Sequence, residues 1–256
     1  MPREKFTPRI FIEGDFCFSK NQITSIKLDE VELQFLKVIR AKPDDLIELH
    51  LITKNQIFLT QIVFIKKSSI EVKIIDDITE KFIPKNNIKI SLMFSIGEKE
   101  TIRDILDYST QTDIIEFFPI LTEFSKEYSL KFLQKKGKTI IKESIRQNKR
   151  LYFPHLNNPK EIKKLSPEFF SSFDTIIIAD PNPPEEKLFK PKKKFKNILL
   201  IIGPESGFSQ KDIEIFSNII PKDKLFYLTF SKTIIRSKIA PIVFSSFILG
   251  SLFYLD

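Results

Sequence analysis

The sequence has little cysteine, histidine or glycine, and each shortage narrows the range of possible folds and sites. Cys17 is its only cysteine, so no disulfide can form within the chain, and such cysteine usage suits a reducing cytoplasm. Cys17, His50 and His155 are together too small a set for a Cys/His zinc centre, so we expect no metal site. With 6 glycines in 256 residues, flexible glycine-rich linkers are also absent.

Signals for export or membrane insertion are weak. No basic stretch leads into an apolar run near the start of the chain, which argues against a signal peptide. The uncharged run at residues 239–255 is slightly shorter than the about 20 apolar residues of a spanning helix. It also contains Pro241 and Gly250. We expect a buried C-terminal helix at a subunit interface, and a membrane tail anchor is the alternative.

The basic residues are abundant and unevenly placed. The net charge is +8, and residues 124–164 hold twelve Lys or Arg against three acidic residues. Residues 187–196 add six lysines and no acid. Clustered bases attract the phosphate backbone of nucleic acids. The alternative is an ordinary solvated face in a lysine-rich protein.

The first 85 residues have the alternation and β-branched content of strands, with one short helix predicted at residues 29–40. The strands are predicted at residues 9–13, 46–52, 57–65 and 69–75. Several short strands with one helix suggest a small barrel. The stretch Pro84-Lys85-Asn86-Asn87 marks the predicted domain boundary.

Beyond this boundary the pattern changes to strands that alternate with helices, which favours a largely parallel sheet covered by helices. The strands are predicted at residues 88–96, 114–118 (ending at Pro119), 175–179, 198–202 and 225–230. The helices are predicted at residues 99–112, 130–148, 209–218 and 238–253. A chain with 42% hydrophobic residues has enough apolar surface to fill the cores of two such domains.

The most informative stretch is LLIIGPESGFS at residues 199–209. A buried strand runs into a sharp turn, and Ser209 is placed to cap the following helix, with Asp212 at the capping-box position. Gly203 and Gly207 would let a ligand approach the backbone closely. A helix N-terminus after such a loop is a common ligand cradle. A simple strand-to-helix turn is the alternative.

This motif resembles the LLIGPEGGFS motif of the RsmE family, a group of SPOUT-type methyltransferases. Further stretches are similar to family motifs in the same order along nearly the whole chain. PRIF at residues 8–11 is similar to PRFF, KVIRAKPDD at 37–45 to HVLRMKPGD, and IRSKIA at 235–240 to LRTETA. GEK at 97–99 and QNKR at 147–150, followed by Pro154, are similar to the family's strand-to-helix start and its QxxR…P.

The resemblance implies a fold and an activity. The fold is α/β, with a SPOUT-type parallel sheet containing a trefoil knot at residues 86–256 and an RNA-binding, PUA-like β-barrel at residues 1–85. The activity is transfer of a methyl group from S-adenosylmethionine to N3 of a uridine in 16S ribosomal RNA of the small subunit. The family acts as a homodimer with its last helix in the interface.

The resemblance also implies which residues hold the cofactor. One wall of the cofactor site is formed by the glycine loop, with Ile202, Gly203, Pro204, Glu205 and Gly207. The other wall is the segment 230–236, with Phe230 and Ile235. A third loop on the cofactor side contains Asp180 and Pro181.

Arginines are the candidates for contacts to the RNA. Arg236 is predicted to stabilise the uracil anion or its carbonyl oxygen, and local capping or pairing is the alternative. The candidates for contacts to RNA phosphates are Arg9, Arg40, Arg146 and Arg150. Ordinary surface arginines are the alternative for these.

The chain departs from the family pattern at several positions. Ser206 replaces a glycine, Lys238 an acid and Phe124 an arginine, while Ser231 and Lys232 stand where the family has glycine and proline. These departures keep two alternatives open. One is another SPOUT methyltransferase that acts on tRNA or on ribose 2′-O, and the other is a non-catalytic RNA-binding protein with the same fold.

Overall fold

The structure, a computed structural model, describes residues 7–84, 87–112, 114–230 and 234–253. The predicted boundary residues Lys85 and Asn86, and the departures Ser231 and Lys232, lie outside these ranges. The chain divides into two compact units. The first is Met1–Pro84 with Ile145–Phe153, and the second is Lys85–Ser144 with Pro154–Asp256. The sequence pattern predicted a single domain boundary near residues 84–87. It did not predict that residues 145–153 belong to the first unit.

The first unit is built on a mixed sheet of five strands within the described residues, ordered β1-β3-β4-β5-β2. Its elements are β1 (Arg9–Ile12), β2 (Ile23–Lys27), α1 (Glu30–Val38), β3 (Leu46–Leu51), β4 (Gln56–Ile65) and β5 (Ser69–Asp77). β1 and β3 are parallel, while the other pairs are antiparallel. The side chain of Asp29 accepts the backbone N–H of Glu32 and thereby caps α1. The PUA-like barrel assignment goes beyond this sheet and stays a prediction.

Two ion pairs hold residues 145–153 in the first unit. Arg146 makes a bidentate pair with Glu32 of α1, with Nη1–Oε2 and Nη2–Oε1 distances of 3.0 and 2.8 Å. Arg9 Nε and Lys149 Nζ both donate to Glu48 Oε2, at 2.7 and 2.9 Å. Because Arg9, Arg146 and Glu32 are all buried, removing any one partner would leave an uncompensated charge.

His50 lies in the same interior, between the rings of Phe11 and Phe153, with both ring centroids 5.5 Å away. Burial, together with the nearby charge of Arg9, lowers the pKa of His50 to about 3. The unfolded chain therefore binds one proton more than the folded chain between pH 3 and the ordinary histidine pKa of 6.5. His50 contributes stability above pH 6.5, and this contribution is lost as the pH falls.

We predict that the free energy of unfolding falls by about 2 kcal/mol more in the wild type than in His50→Leu between pH 6.5 and pH 5. The physical reason is the cost of about 1.4 kcal/mol per pH unit for keeping the imidazole neutral. Urea unfolding followed by circular dichroism at several pH values measures the difference. Parallel pH profiles for the two proteins would contradict the assignment.

The second unit contains a parallel sheet ordered β12-β10-β11-β6-β7-β8, in which β9 also pairs with β7. The strands are β6 (Lys89–Ser95), β7 (Ile114–Leu121), β8 (His155–Leu156), β9 (Lys160–Glu161), β10 (Thr175–Ala179), β11 (Asn197–Ile202) and β12 (Leu225–Leu228). The helices are α2 (Lys99–Thr110), α3 (Leu130–Asn148), α4 (Pro167–Ser171), α5 (Gln210–Ile219) and α6 (Ala240–Phe253). The last residues of α3, from Ile145 to Asn148, belong to the first unit. Every recorded pairing of these strands is parallel, which confirms the predicted α/β class.

Pro119 does not end its strand, contrary to the prediction. β7 continues to Leu121, and Pro119 pairs in register with Phe94 of β6. On the opposite side, β8 pairs with residues 116–117 and β9 with residues 120–121, so no recorded pair falls at Pro119. A proline inside a strand is tolerated where its missing N–H is not needed by the ladder.

α6 has no charged residue among its described positions, and Phe244, Ile248 and Leu252 are buried within the protomer. Phe247 and Ile239, in the same C-terminal region, are 39% and 40% exposed. None of the helices in the described ranges is long and apolar enough to cross a membrane.

Candidate functional site

The candidate site lies at the carboxyl edge of the parallel sheet. Three adjacent strands, β12, β10 and β11, end there at Leu228, Ala179 and Ile202. In open parallel sheets, ligands bind outside the carboxyl ends of the strands, because the loops that follow the strands converge at that edge. The three loops line one cavity of about 680 Å³.

All ten residues predicted for catalysis and cofactor binding line this cavity. They are Asp180, Pro181, Ile202, Gly203, Pro204, Glu205, Gly207, Phe230, Ile235 and Arg236. The sequence places these residues up to 56 positions apart, and the parallel strand order brings them together. Their roles as ligand contacts stay predictions.

The loop after β11 has the local structure that its sequence predicts. Ser209 accepts the backbone N–H of Asp212 at 3.1 Å, and Asp212 accepts the backbone N–H of Ser209 at 3.1 Å, which completes a capping box at α5. Asp212 is buried and also accepts the backbone N–H of Glu123, from the loop after β7. The start of α5 is thus fixed to a neighbouring loop of the sheet edge.

Gly207 is the residue of this loop with a positive φ, at 79°, and a Cβ there would meet no atom within 4 Å. The backbone conformation favours glycine, and the space beside it is open for a ligand. Ser206 has no positive φ, so the backbone at this position does not require the glycine that it replaces. This departure from the family pattern therefore leaves the shape of the loop intact.

Glu205 holds the loop against the beginning of α2. Its Oε1 accepts the backbone N–H of Glu98 at 3.3 Å, and a Cβ on Gly97 would stand 2.7 Å from the same oxygen. Glu98 in turn accepts the hydroxyl of Tyr128, and this hydrogen bond raises the pKa of the phenol. The position of Glu205 depends on Gly97, because any side chain at 97 would displace the carboxylate.

Arg236 and Lys238 lie on the opposite wall of the cavity. Arg236 is exposed, and its carbonyl accepts the backbone N–H groups of Ile239 and Ala240 at 3.0 and 2.9 Å. This turn leads into α6, so Arg236 stands where the helix begins. Lys238 pairs with Asp104 of α2, with an Nζ–Oδ2 distance of 3.4 Å.

The sequence reasoning missed several lining residues, among them Thr101, Thr229 and Phe244. Thr101 is buried on α2, one turn before Asp104. The ring of Phe244 stacks on that of Phe230, with centroids 5.1 Å apart and planes inclined by 6°. Thr229 directly precedes the predicted cofactor segment 230–236, and Phe244 lies one turn after the family-like motif at residues 235–240. Nothing in the sequence indicated that α2 faces the cavity.

Two of the four arginines predicted to contact RNA phosphates are inside the first unit. Arg9 is fully buried and Arg146 is 7% exposed, and each is paired with a glutamate. A guanidinium that is buried and paired is not available to a phosphate, so we correct the prediction for these two residues. Arg40 is exposed just after α1, and Arg150 is half-buried, with its carbonyl accepting Arg9 Nη1 at 2.6 Å.

The cavity mixes charges of both signs with apolar surface. Asp180 and Glu205 contribute carboxylates, and Arg236 and Lys238 contribute cations. The apolar lining includes Phe208, Phe230, Ile235 and Phe244. Such a site suits a ligand that has an apolar ring system and charges of both signs. No group of three or more metal-ligating side chains occurs in the part of the chain that the structure describes.

Comparison with known proteins defines the class. The model of the RNA methyltransferase domain family matches residues 84–249, and the chain belongs to this family. It is 27% identical over 194 residues to the ribosomal RNA small subunit methyltransferase E of Aquifex aeolicus, covering 73% of this chain and 80% of that protein. It is 26% identical to the methyltransferase of the same name from Mesomycoplasma hyopneumoniae, covering 89% of this chain and 95% of that protein.

A solved structure shares the fold. The crystal structure of ribosomal RNA small subunit methyltransferase E from Neisseria gonorrhoeae bound to S-adenosyl methionine superposes with a TM-score of 0.80 at 18% sequence identity. The match covers 96% of this chain and 98% of that chain. The resemblance to RsmE proteins read from the motifs is therefore confirmed.

Proposed function

We propose that this protein transfers the methyl group of S-adenosylmethionine to N3 of a uridine in 16S ribosomal RNA of the small subunit. The observation that supports the proposal best is the single cavity at the sheet edge, which gathers all ten predicted residues. The names of the relatives point to the same substrate class. A ribosomal RNA substrate would place the protein in the cytoplasm.

The residues present fit S-adenosylmethionine. Open space beside Gly207 leaves the loop backbone accessible, and aromatic side chains offer apolar surface for an adenine ring. Asp180 and Glu205 suit the positively charged amino and sulfonium groups. S-adenosylmethionine, when bound, supplies the activated methyl group.

Arg236 is the residue that we propose to act on the reacting base. Uridine N3 must lose a proton before it accepts a methyl group, and negative charge then develops on the uracil ring. Arg236 lines the cavity, and this position supports a role for its guanidinium in stabilising that charge. The base must be unpaired or flipped to reach the cavity.

Calorimetry with S-adenosylmethionine tests the proposed cofactor site. We expect one molecule to bind per chain with a micromolar or lower Kd. The alternative of a fold that has lost catalysis predicts no binding, and heat changes equal to buffer dilution would favour it.

We predict that Gly97→Ala weakens cofactor binding about tenfold while the protein stays folded. The new Cβ would stand 2.7 Å from Glu205 Oε1, so the carboxylate must move and lose its hydrogen bond to the Glu98 N–H, which removes a contact that holds the loop. Gly250→Ala is the matched control, because a Cβ at Gly250 meets nothing within 4 Å. Calorimetry compares the two variants, and equal affinities would show that Glu205 does not hold the loop.

For the RNA we propose a contact surface on α3. Lys135, Lys136 and Lys138 are exposed on this helix, which runs through the most basic segment of the chain. Phosphate contacts there would position the RNA without reading its sequence. We retain Arg40 as a candidate for a phosphate contact, because its side chain is exposed. We propose, in addition, that the first unit is the PUA-like RNA-binding domain and that the second contains the trefoil knot.

We also propose a homodimer formed through the apolar surface around α6. Phe247 is 39% exposed on this uncharged helix, whereas Ile248 and Leu252 are buried within the protomer. Phe247 and Ile239, both about two-fifths exposed beside or on a helix without charges, support an interaction surface here. A charge at Ile248 or Leu252 would be buried inside the protomer, so it would destabilise the fold and test nothing about assembly.

We predict that the wild type sediments as a dimer at micromolar concentration and that Phe247→Glu sediments as a monomer. A buried carboxylate in the interface would lack a partner and oppose association. Analytical ultracentrifugation measures both states, with Phe64→Glu as the control because Phe64 is an exposed aromatic of the first unit. A monomeric wild type would exclude the dimer.

A further inference from the structure

Lys238 is unusual for its position. It lies in the turn that leads into α6, where the helix N-terminus has a partial positive charge and favours acidic side chains. The similar family motif has an acid at this place, so the chain has exchanged a favourable charge for an unfavourable one. A nearby carboxylate would offset this unfavourable interaction.

Asp104 supplies this carboxylate from a different element. Its Oδ2 is 3.4 Å from Lys238 Nζ, and the two side chains are 17% and 35% exposed. Asp104 belongs to α2, one turn after the buried, cavity-lining Thr101. The ion pair thus joins the wall of the cavity built by α2 to the turn that contains Arg236.

We infer that Asp104 is a positioning residue for methyl transfer, which acts through Lys238 to hold Arg236 in its place at the cavity wall. The inference rests on the proposed function of Arg236. Only Ser237 separates Arg236 from Lys238, and the Arg236 carbonyl accepts the backbone N–H groups of Ile239 and Ala240, where α6 begins. Fixing Lys238 against α2 therefore fixes the backbone from which the guanidinium extends.

The pair also explains how the chain tolerates its departure from the family pattern. An acid at 238 would face Asp104 as a like charge, so the family residue should be harmful in this protein. An acid at position 238 should support methyl transfer only when the charge at position 104 is reversed as well.

The test is a charge-exchange cycle in the full-length protein, with steady-state kinetics of methyl transfer to ribosomal RNA. Asp104→Asn and Lys238→Glu should each lower kcat about tenfold, because a displacement of Arg236 weakens a transition-state contact. KM for the RNA should stay within about twofold of the wild type in both variants, and so should the Kd for S-adenosylmethionine in Asp104→Asn, because Asp104 does not line the cavity. The double variant Asp104→Lys with Lys238→Glu should regain most of the lost kcat, and Lys238→Arg should retain it.

Asp107→Asn is the matched control, since Asp107 lies one turn further along α2 and does not line the cavity. It should leave kcat unchanged. A wild-type kcat in Asp104→Asn, or a double variant no faster than the single variants predict by addition, would overturn the inference while leaving the proposed function in place. A wild type that methylates no ribosomal RNA would overturn both.

Discussion

Replacing Arg236 with alanine is expected to lower kcat for methyl transfer by about a thousandfold with little change in RNA affinity. The guanidinium is proposed to stabilise charge that appears on the uracil only as the N3 proton leaves, and such contacts affect the transition state more than binding. Removing one preorganised hydrogen-bond donor from a developing anion typically lowers kcat by about a hundredfold to a thousandfold, and we expect a loss at the upper end of this range.

The design separates this role from general electrostatics. Arg236→Lys keeps the charge but loses the planar fork of donors, and it should fall between the wild type and Arg236→Ala. Arg103→Ala is the control, because Arg103 is exposed on α2 and does not line the cavity. Single-turnover kinetics and RNA binding are both measured. Equal losses in RNA affinity and in rate would show that Arg236 binds the RNA in its ground state.

Replacing Gly207 with leucine is expected to abolish measurable binding of S-adenosylmethionine, which corresponds to a loss of at least about a hundredfold. The substitution places a bulky side chain in the open space beside the loop and also forces a positive φ of 79° on a residue with a Cβ. The strain and the bulk are separate effects, and they require separate variants.

Gly207→Ala shares the strain but adds only one methyl group where no atom lies within 4 Å. It should lose some stability, of order 1 kcal/mol, and retain detectable cofactor binding. Calorimetry gives the affinities, and thermal unfolding shows whether each variant is folded. Tight binding by a folded Gly207→Leu protein would place the cofactor elsewhere.

Local patterns in the sequence predicted those parts of the fold that depend on local physics. The strand, turn and capped helix around Gly203 and Ser209 follow from apolar periodicity and capping chemistry, and the structure has all three. The gathering of Asp180, Glu205 and Arg236 in one cavity needed more, because parallel strand order is set by long-range packing. The family resemblance supplied that information in advance.

The errors have the same origin. Pro119 was predicted to end its strand, since a proline lacks an N–H, but the gap between two short partner strands makes that N–H unnecessary. Arg9 and Arg146 were predicted to contact RNA phosphates, which requires exposed side chains, whereas both are buried and Glu48 and Glu32 compensate their charges. The pair between Lys238 and Asp104 joins residues 134 positions apart, and neither residue alone indicates its partner.

Analysis of the methylated product tests the central claim most directly. Purified protein and labelled S-adenosylmethionine are incubated with small ribosomal subunits, naked 16S ribosomal RNA and bulk tRNA, and the RNA is then digested to nucleosides for mass spectrometry. We predict label in 16S ribosomal RNA as 3-methyluridine and almost none in tRNA. Label that is confined to tRNA, or that is found on ribose 2′-oxygen instead of uracil N3, would contradict the proposed activity.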